Sequence, residues 1–523
     1  MTTVLATIVA LAALSAVGFL PVVATVGPRW FAVPLAPLTG AVLAALAATA
    51  SLSFGGALID WFVGLAVVAA LVVFSIWVLE PERGPWARPS TRGTPGRRRS
   101  RMMGVVGFFA VVVSCCWNLR GLRSPTVGFD ARALWVMRPG WFLQSHAQLL
   151  IDMKARGLVL SQSAYPPLVS ATTAVAWRIT GIHTARVGVT TIAVLNICAL
   201  AAAAMALVEC GRGVATRMVT PAASGVGSSG VGSSGVAVLT GRPPWAPMVT
   251  GVVAAVLLVF VAAGVTEPFL TNGYADPIWS LAAVGAVAYG LQSRSDRSTR
   301  AAAAILILVA GLSKNEGLVT AIALVALVAF RTIGIEGLRA GWRRWVAPAV
   351  LAACELALLA WWPVLMHIIG ARGASSSFTA SSDAGSRTSA VVHGMSPYLH
   401  VLVVALPLSI VGGLVLRSVR RRGEVGNDLW AWLALAVGLV AVGGALVTGS
   451  GAIVPWIRST VHRITEYPVL EGWWIVAVWA VVASSGIRTP HAKGPDVGAD
   501  GQEVTADDSL MAPADVTGVG TAS

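Results

Sequence analysis

Apolar runs of about twenty residues follow one another along most of this 523-residue chain, separated by short polar loops. Runs of that length match the thickness of a bilayer's hydrocarbon core, and the ten-residue alternation of an outer-membrane barrel is absent. The pattern predicts an all-α integral membrane protein, a multi-span helical bundle. Spans are expected at 4–26, 31–50, 57–79, 103–118, 186–208, 247–265, 275–291, 301–313, 318–330, 346–369, 397–416, 429–447 and 468–485, about 13 in all. The first run has neither a basic flank nor a small-residue cleavage site and reads as a retained span. Residues 168–180 (LVSATTAVAWRIT) are apolar but short, and read as an interfacial or re-entrant helix. Residues 301–330 carry GLSKNEGL at their centre, so one straight helix would place Lys314 and Glu316 in hydrocarbon. Two short helices meeting at that segment avoid the penalty.

Charge sets the sidedness. The chain is 56% hydrophobic and 11% charged, with a formal net charge of +14. Only three of its basic residues are lysines (Lys154, Lys314, Lys493); the arginines gather in short loops at 80–101, 211–242, 292–300, 331–345 and 417–428. This is the positive-inside bias of cytoplasmic loops, not a groove for nucleic acid. The loops around 266–276, 370–396 and 448–467 then face outward. The five cysteines lack metal-ligand spacing and read as small hydrophobes, and no Walker-type phosphate loop is present. The chain divides into a three-span N-terminal extension (1–79), a basic cytoplasmic loop (80–102), a transmembrane core (103–485) and a disordered cytoplasmic tail (486–523). The run GVGSSGVGSSGV at 225–236 reads as a flexible linker.

The candidate chemistry lies in the outer loops. The polar stretch 118–167 holds Asp130 in GFDARALW, then Trp135, Trp141 and Tyr165 in AYPPLV. Asp130 reads either as a solvated acid paired with Arg132 or as a general base at the membrane surface, taking the proton of an acceptor hydroxyl. Tyr165 precedes two prolines that set the entry of the next helix, and the segment reads either as a simple helix-start signal or as one whose tyrosine hydroxyl touches a ligand. The loop TEPFLTNGYADP contributes Glu267 and Asp276. These two acids either cap helices or orient a polar substrate and help hold a divalent cation. Lys314 reads as an internal partner of Glu316 or another acid, or as a point charge for a phosphate. In TGSGAIVPWIRSTVHRITEYP, a helix would set Ser459, His462, Arg463 and Glu466 on one face. With Arg458, they form either a solvated amphipathic turn or an anion site.

The order of these features resembles the GT-C superfamily of membrane glycosyltransferases. It runs through an early outer-loop Asp (Asp130), a Pro-Pro-Leu exit (Pro166, Pro167, Leu168), Gly181, and Arg186 opening a span. Asp276 before a helix, Gly311 to Lys314 as Gly-Leu-Ser-Lys, and Arg463 five residues before Pro468 complete it. That superfamily uses polyprenyl-phosphate sugars and includes protein mannosyltransferases, aminoarabinose transferases and actinobacterial arabinosyl- and mannosyltransferases. The resemblance covers about residues 103–485 and departs from many relatives at Ala131, where they carry a second acid. It implies a GT-C type bundle whose large first outer loop contains interfacial helices, set in the cytoplasmic membrane with its active site facing outward. Asp130 would be the base. Lys314, Arg463, His462 and Arg458 would bind the donor phosphate, and Trp135 and Trp141 would stack on sugar rings. Tyr165, Glu267, Asp276 and Glu316 would line the substrate. The acceptor would be a glycan, lipid or protein hydroxyl. A transporter or flippase for a lipid-linked or anionic solute is the alternative, and a ligase or polymerase using a pyrophosphate-linked donor is a third.

Overall fold

The computed structural model describes residues 2–27, 29–79, 95–123, 127–128, 131–155, 164–219, 245–267, 269–292, 297–339, 342–371, 384–418, 422–448 and 454–485. Asp130, the 225–236 linker, most of the basic loop at 80–102 and the tail from 486 lie outside the described residues.

Among the described residues every regular element is helical. They are α1 (Thr3–Val26), α2 (Leu35–Phe54), α3 (Leu58–Leu79), α4 (Pro95–Asn118), α5 (Arg138–Trp141), α6 (His146–Lys154), α7 (Leu168–Thr180), α8 (Ala185–Val219), α9 (Ala246–Thr266) and α10 (Asp276–Gln292). There follow α11 (Arg297–Ser313), α12 (Asn315–Arg339), α13 (Trp342–Ile368), α14 (Ala384–Met395), α15 (Val401–Ser418), α16 (Arg422–Thr448), α17 (Val454–Ile464) and α18 (Glu466–Ser484). A π-helical turn at Ala131–Val136 leads into α5.

Nine of these helices are long and apolar enough to cross a membrane, which makes the chain a multi-pass membrane protein. The expected count of about 13 is not confirmed: the other four predicted spans fall on α10, α11, α15 and α16, where the described apolar stretch is shorter than 18 residues. Helix α10 has 17 residues, about 25 Å at 1.5 Å per residue, against a hydrocarbon core of roughly 30 Å. The apolar parts of α11, α15 and α16 are Ser298–Ser313, Val401–Leu414 and Leu429–Val440.

Helix α7 is enclosed by protein: every residue from Leu168 to Trp177 is buried, and the helix packs on α1, α2 and α8. Its ends are those the sequence marks: Pro166 and Pro167 precede it, and Gly181, in the left-handed conformation (φ 67°), donates its N–H to the Trp177 carbonyl at 2.8 Å. A short apolar helix is stable when protein, not lipid, surrounds it.

The N-terminal helices belong to the same compact unit as the rest of the chain up to Ile487. In α2, 83% of the apolar window is buried, against 11% in α3. The close α1–α2 crossing depends on glycine: a methyl group built on Gly40 would overlap the Leu14 carbonyl, and one on Gly18 the Ala36 carbonyl. Gly40→Leu is therefore expected to destabilise the protein by roughly 1–3 kcal/mol. Gly64→Leu on α3, where the added side chain enters open space, should melt within error of wild type. Thermal unfolding of both variants in one detergent decides this, and equal melting would contradict the close crossing.

Candidate functional site

Side chains nearly two hundred positions apart meet at one set of helix ends. Asp276 opens α10, with Pro277 next, where a carboxylate suits the positive end of the helix dipole and proline needs no N–H partner. The loop before it is tied down by Asn196 in the middle of α8, whose amide donates to the Leu270 carbonyl at 3.0 Å and the Tyr274 carbonyl at 3.3 Å. Lys314 is the single non-helical residue between α11 and α12, and its carbonyl accepts the first bond of α12 from Leu318 at 2.8 Å. Gly317 permits the sharp break, since a Cβ there would overlap the Ala310 carbonyl. The break expected at GLSKNEGL is thus present, with the charged residues at the junction, although α12, at 25 residues, is not a short helix.

Asp276 takes one cation on each oxygen. Lys314 Nζ lies 2.5 Å from Oδ1, and Arg463 Nη2 lies 3.0 Å from Oδ2. Glu316 Oε1 stands 3.4 Å from the same ammonium. The side chains of Asp276, Lys314 and Arg463 are 1%, 7% and 13% exposed, so these are buried ionic contacts rather than surface pairs. Burial alone would push the Lys314 ammonium toward the neutral amine, but the Asp276 and Glu316 carboxylates outweigh it and hold the group above the ordinary lysine range. The Arg463 guanidinium also lies over the Tyr274 ring, 4.6 Å from its centroid, and 5.6 Å from that of Phe269. One helical turn into α10, the Ser280 hydroxyl donates to the Asp276 carbonyl at 3.0 Å and lies 3.4 Å from a carboxylate oxygen of Glu466.

Glu466 does not extend the α17 face as the spacing suggested. Helix α17 ends at Ile464, with Ile457, Val461 and Ile464 turned into the core, and Glu466 starts α18 as a buried residue. Arg458 is exposed on α17. His462 lies on the same helix, and its side chain is outside the described residues.

Asp130 and Phe129 are also outside them. Of the flanking residues that are described, Gly128 donates its N–H to the Asn272 carbonyl at 3.4 Å and lies close against the Tyr274 ring, while Ala131 is fully buried against Gly273. Gly128 and Ala131 thus contact the loop that precedes Asp276.

Burial first, and then the Glu316 carboxylate, hold the Tyr165 phenol above its usual range, with Lys314 opposing. The Tyr165 ring stacks on Trp135, with centroids 5.7 Å apart and planes at 29°. The Tyr165 carbonyl accepts from Arg138 Nη2 at 2.8 Å, and the Ala164 carbonyl from Trp362 Nε1 at 3.1 Å. The expected aromatic residues thus separate. Trp135 is buried in this apolar cluster, whereas Trp141 packs in a second one with Phe142, Leu149 and Met153. Glu267 is exposed at the end of α9, away from the buried carboxylates.

Asp276, expected to help hold a divalent cation, instead has each oxygen directed at a cationic side chain, a donor set that does not suit a metal. Among the described residues no group of three His, Cys, Asp or Glu side chains is placed to share one.

Sequence reasoning missed Asn196, Arg138 and Ser280. Asn196 was visible as a lone amide within an apolar run, whereas nothing in the spacing distinguishes Arg138 from the other loop arginines. Together the fold and the cluster define a polytopic helical membrane protein with a buried ionic centre at its helix ends. Compared with known protein families, curated proteins and solved structures, the chain shows no match.

Proposed function

We propose that this protein is a glycosyltransferase that moves a sugar from a polyprenyl monophosphate donor to an acceptor hydroxyl at the outer face of the cytoplasmic membrane. The observation that carries the reading is the meeting of Lys314, Arg463 and Asp276, from three separate stretches of chain, next to a loop that Gly128 and Ala131 also contact. In this reading the lipid tail of the donor lies between helices and its phosphate meets the cationic edge formed by Lys314 and Arg463. Asp276 holds both cations in place before the ligand arrives, which is the preorganisation that electrostatic stabilisation of a leaving group needs. Arg458, exposed on the same short helix as Arg463, adds positive charge to that helix. A phosphate leaving group departs as a weakly basic anion and needs no general acid. Asp130 takes the proton of the attacking hydroxyl, and a single displacement inverts the anomeric centre. Trp135 supports Tyr165 from behind, and the acceptor is a glycan, lipid or protein.

Incubating the purified protein in proteoliposomes with radiolabelled polyprenyl-phosphate sugars tests the reading. Transfer of label to an acceptor or to water is expected, and its absence with both pentose and hexose donors would sink the proposal.

One observation favours the transporter alternative. Glu471, inside the α18 span, is fully buried, and neither of its oxygens has a hydrogen-bond partner among the described residues. Ionisable side chains in that setting mark solute or proton pathways in other membrane proteins. Label that crosses the bilayer on an intact lipid-linked sugar, without bond cleavage, would favour that reading.

A further inference from the structure

Helix α18 buries more polar chemistry than its packing uses. Tyr467, Glu471 and Trp474 follow one another at spacings of four and three, and so share one stripe of the helix. All three are buried, Glu471 completely. Among the described residues neither oxygen of Glu471 has a hydrogen-bond partner, nor has the Trp474 indole N–H. Trp279 of α10, whose ring centroid lies 6.0 Å from that of Tyr467, brings a second buried indole N–H with no partner among them. Glu466 opens α18 with one carboxylate oxygen 3.4 Å from the Ser280 hydroxyl and the other without a partner among the same residues.

The helices packed on α18 supply nothing to balance a charge at Glu471. Helix α9 has no titratable side chain, and neither have residues 401–414 of α15 or 429–440 of α16. On α8, Glu209 pairs with Arg212, and on α10 the Tyr289 hydroxyl donates to the Ala202 carbonyl at 3.0 Å. Asp276 faces Lys314 and Arg463. Within the stripe, the Tyr467 hydroxyl donates to the Ala434 carbonyl at 3.4 Å. A carboxylate at Glu471 would meet no cation and accept no bond, so the neutral acid is the form this span accommodates.

We infer that Glu471 is a proton-binding site within the membrane, loaded and emptied along the α10–α18 contact through Glu466 and Ser280. Loading forms one O–H bond on the carboxyl with a proton taken from water, and emptying reverses it; no other bond changes. Five residues separate Glu466 from Glu471, about 7.5 Å along the helix axis. A short chain of hydrogen-bonded water closes such a gap, and the indole N–H groups of Trp279 and Trp474 are donors suited to orienting it. Beyond Glu466 the Ser280 hydroxyl connects to the first turn of α10, where the ionic centre begins. The inference does not rest on sugar transfer and survives its failure.

Infrared spectroscopy of the full-length protein in an ester-free detergent tests it. The carbonyl stretch of a protonated carboxyl is expected in wild type, with a component lost in Glu471→Gln. In heavy water that component should shift to lower frequency, and Glu466→Gln or Ser280→Ala should slow the shift severalfold. A spectrum that Glu471→Gln leaves unchanged overturns the inference. So does a component that never shifts in heavy water, since a sealed acid is only structural. Equal exchange rates in wild type and both route variants overturn the path through Glu466 and Ser280. Should Glu471→Gln fail to fold, wild type treated with dicyclohexylcarbodiimide decides the site. The acid O–H adds across one C=N bond, proton to nitrogen and oxygen to carbon, and an acyl shift leaves a stable N-acylurea. Mass spectrometry should find that adduct on Glu471, and an unmodified Glu471 peptide would overturn the inference.

Discussion

Asp276→Asn is expected to lower the unfolding free energy by about 3–5 kcal/mol, the usual consequence of removing one partner from a buried ionic contact. The carboxylate is 1% exposed and faces two cations from different parts of the chain, Lys314 and Arg463. Asparagine keeps the shape but leaves both cations without their shared counter-charge in a setting where water cannot replace it. Thermal or denaturant unfolding in detergent measures the loss. Pairing Asp276→Asn with Lys314→Met should restore part of it, since one of the two stranded charges is then gone, and the non-additivity is the signature of direct contact. Equal stability of Asp276→Asn and wild type would mean that the two cations are compensated elsewhere.

The second large effect is on turnover. Asp130→Asn is expected to reduce sugar transfer by roughly 10²–10⁴-fold, the range for losing a general base, while binding of decaprenyl monophosphate and thermal stability stay close to wild type. Initial rates with a labelled polyprenyl-phosphate sugar, set beside the binding isotherm, separate the two quantities. The pair of variants thus divides the site: the α10 acid acts on fold and donor affinity, the loop acid on chemistry alone. Full transfer by Asp130→Asn would remove that residue from the reaction.

Much of the architecture could be read from periodicity alone. The long apolar runs, the break at Lys314, the proline entry and glycine exit of α7, and the role of Lys314 as a partner of acids all follow from local rules. Each depends on residues within a turn or two of one another, or on the high penalty of an unpaired charge in an apolar run. What escaped was set by contacts between distant stretches. The pairing of Asp276 with Arg463 spans 187 positions, and no spacing rule connects them. Trp135 and Trp141 looked alike in the sequence, six positions apart, yet a π-helical turn and the short α5 send them into different apolar clusters. The enclosure of α7 could not be read from the sequence, because length alone separates a spanning helix from a short one and only its neighbours show whether lipid or protein surrounds it. The three N-terminal runs read as an extension because they precede the stretch, about 103–485, that carries the resemblance. Which of them would be enclosed depends on small residues such as Gly18 and Gly40 that let backbones approach.

The burial of α2 bears on how the molecule is made. Ribosomes release this helix early, yet its packing partners α7, α8 and α11 are synthesised roughly 115 to 280 residues later. During that interval its alanine-rich surface must rest against lipid, which it tolerates because it carries no charge and few bulky side chains to mispair. Biogenesis of the centre therefore ends only when α11 arrives, and a nascent chain stalled before residue 297 would expose that surface to any quality-control protease able to enter the bilayer.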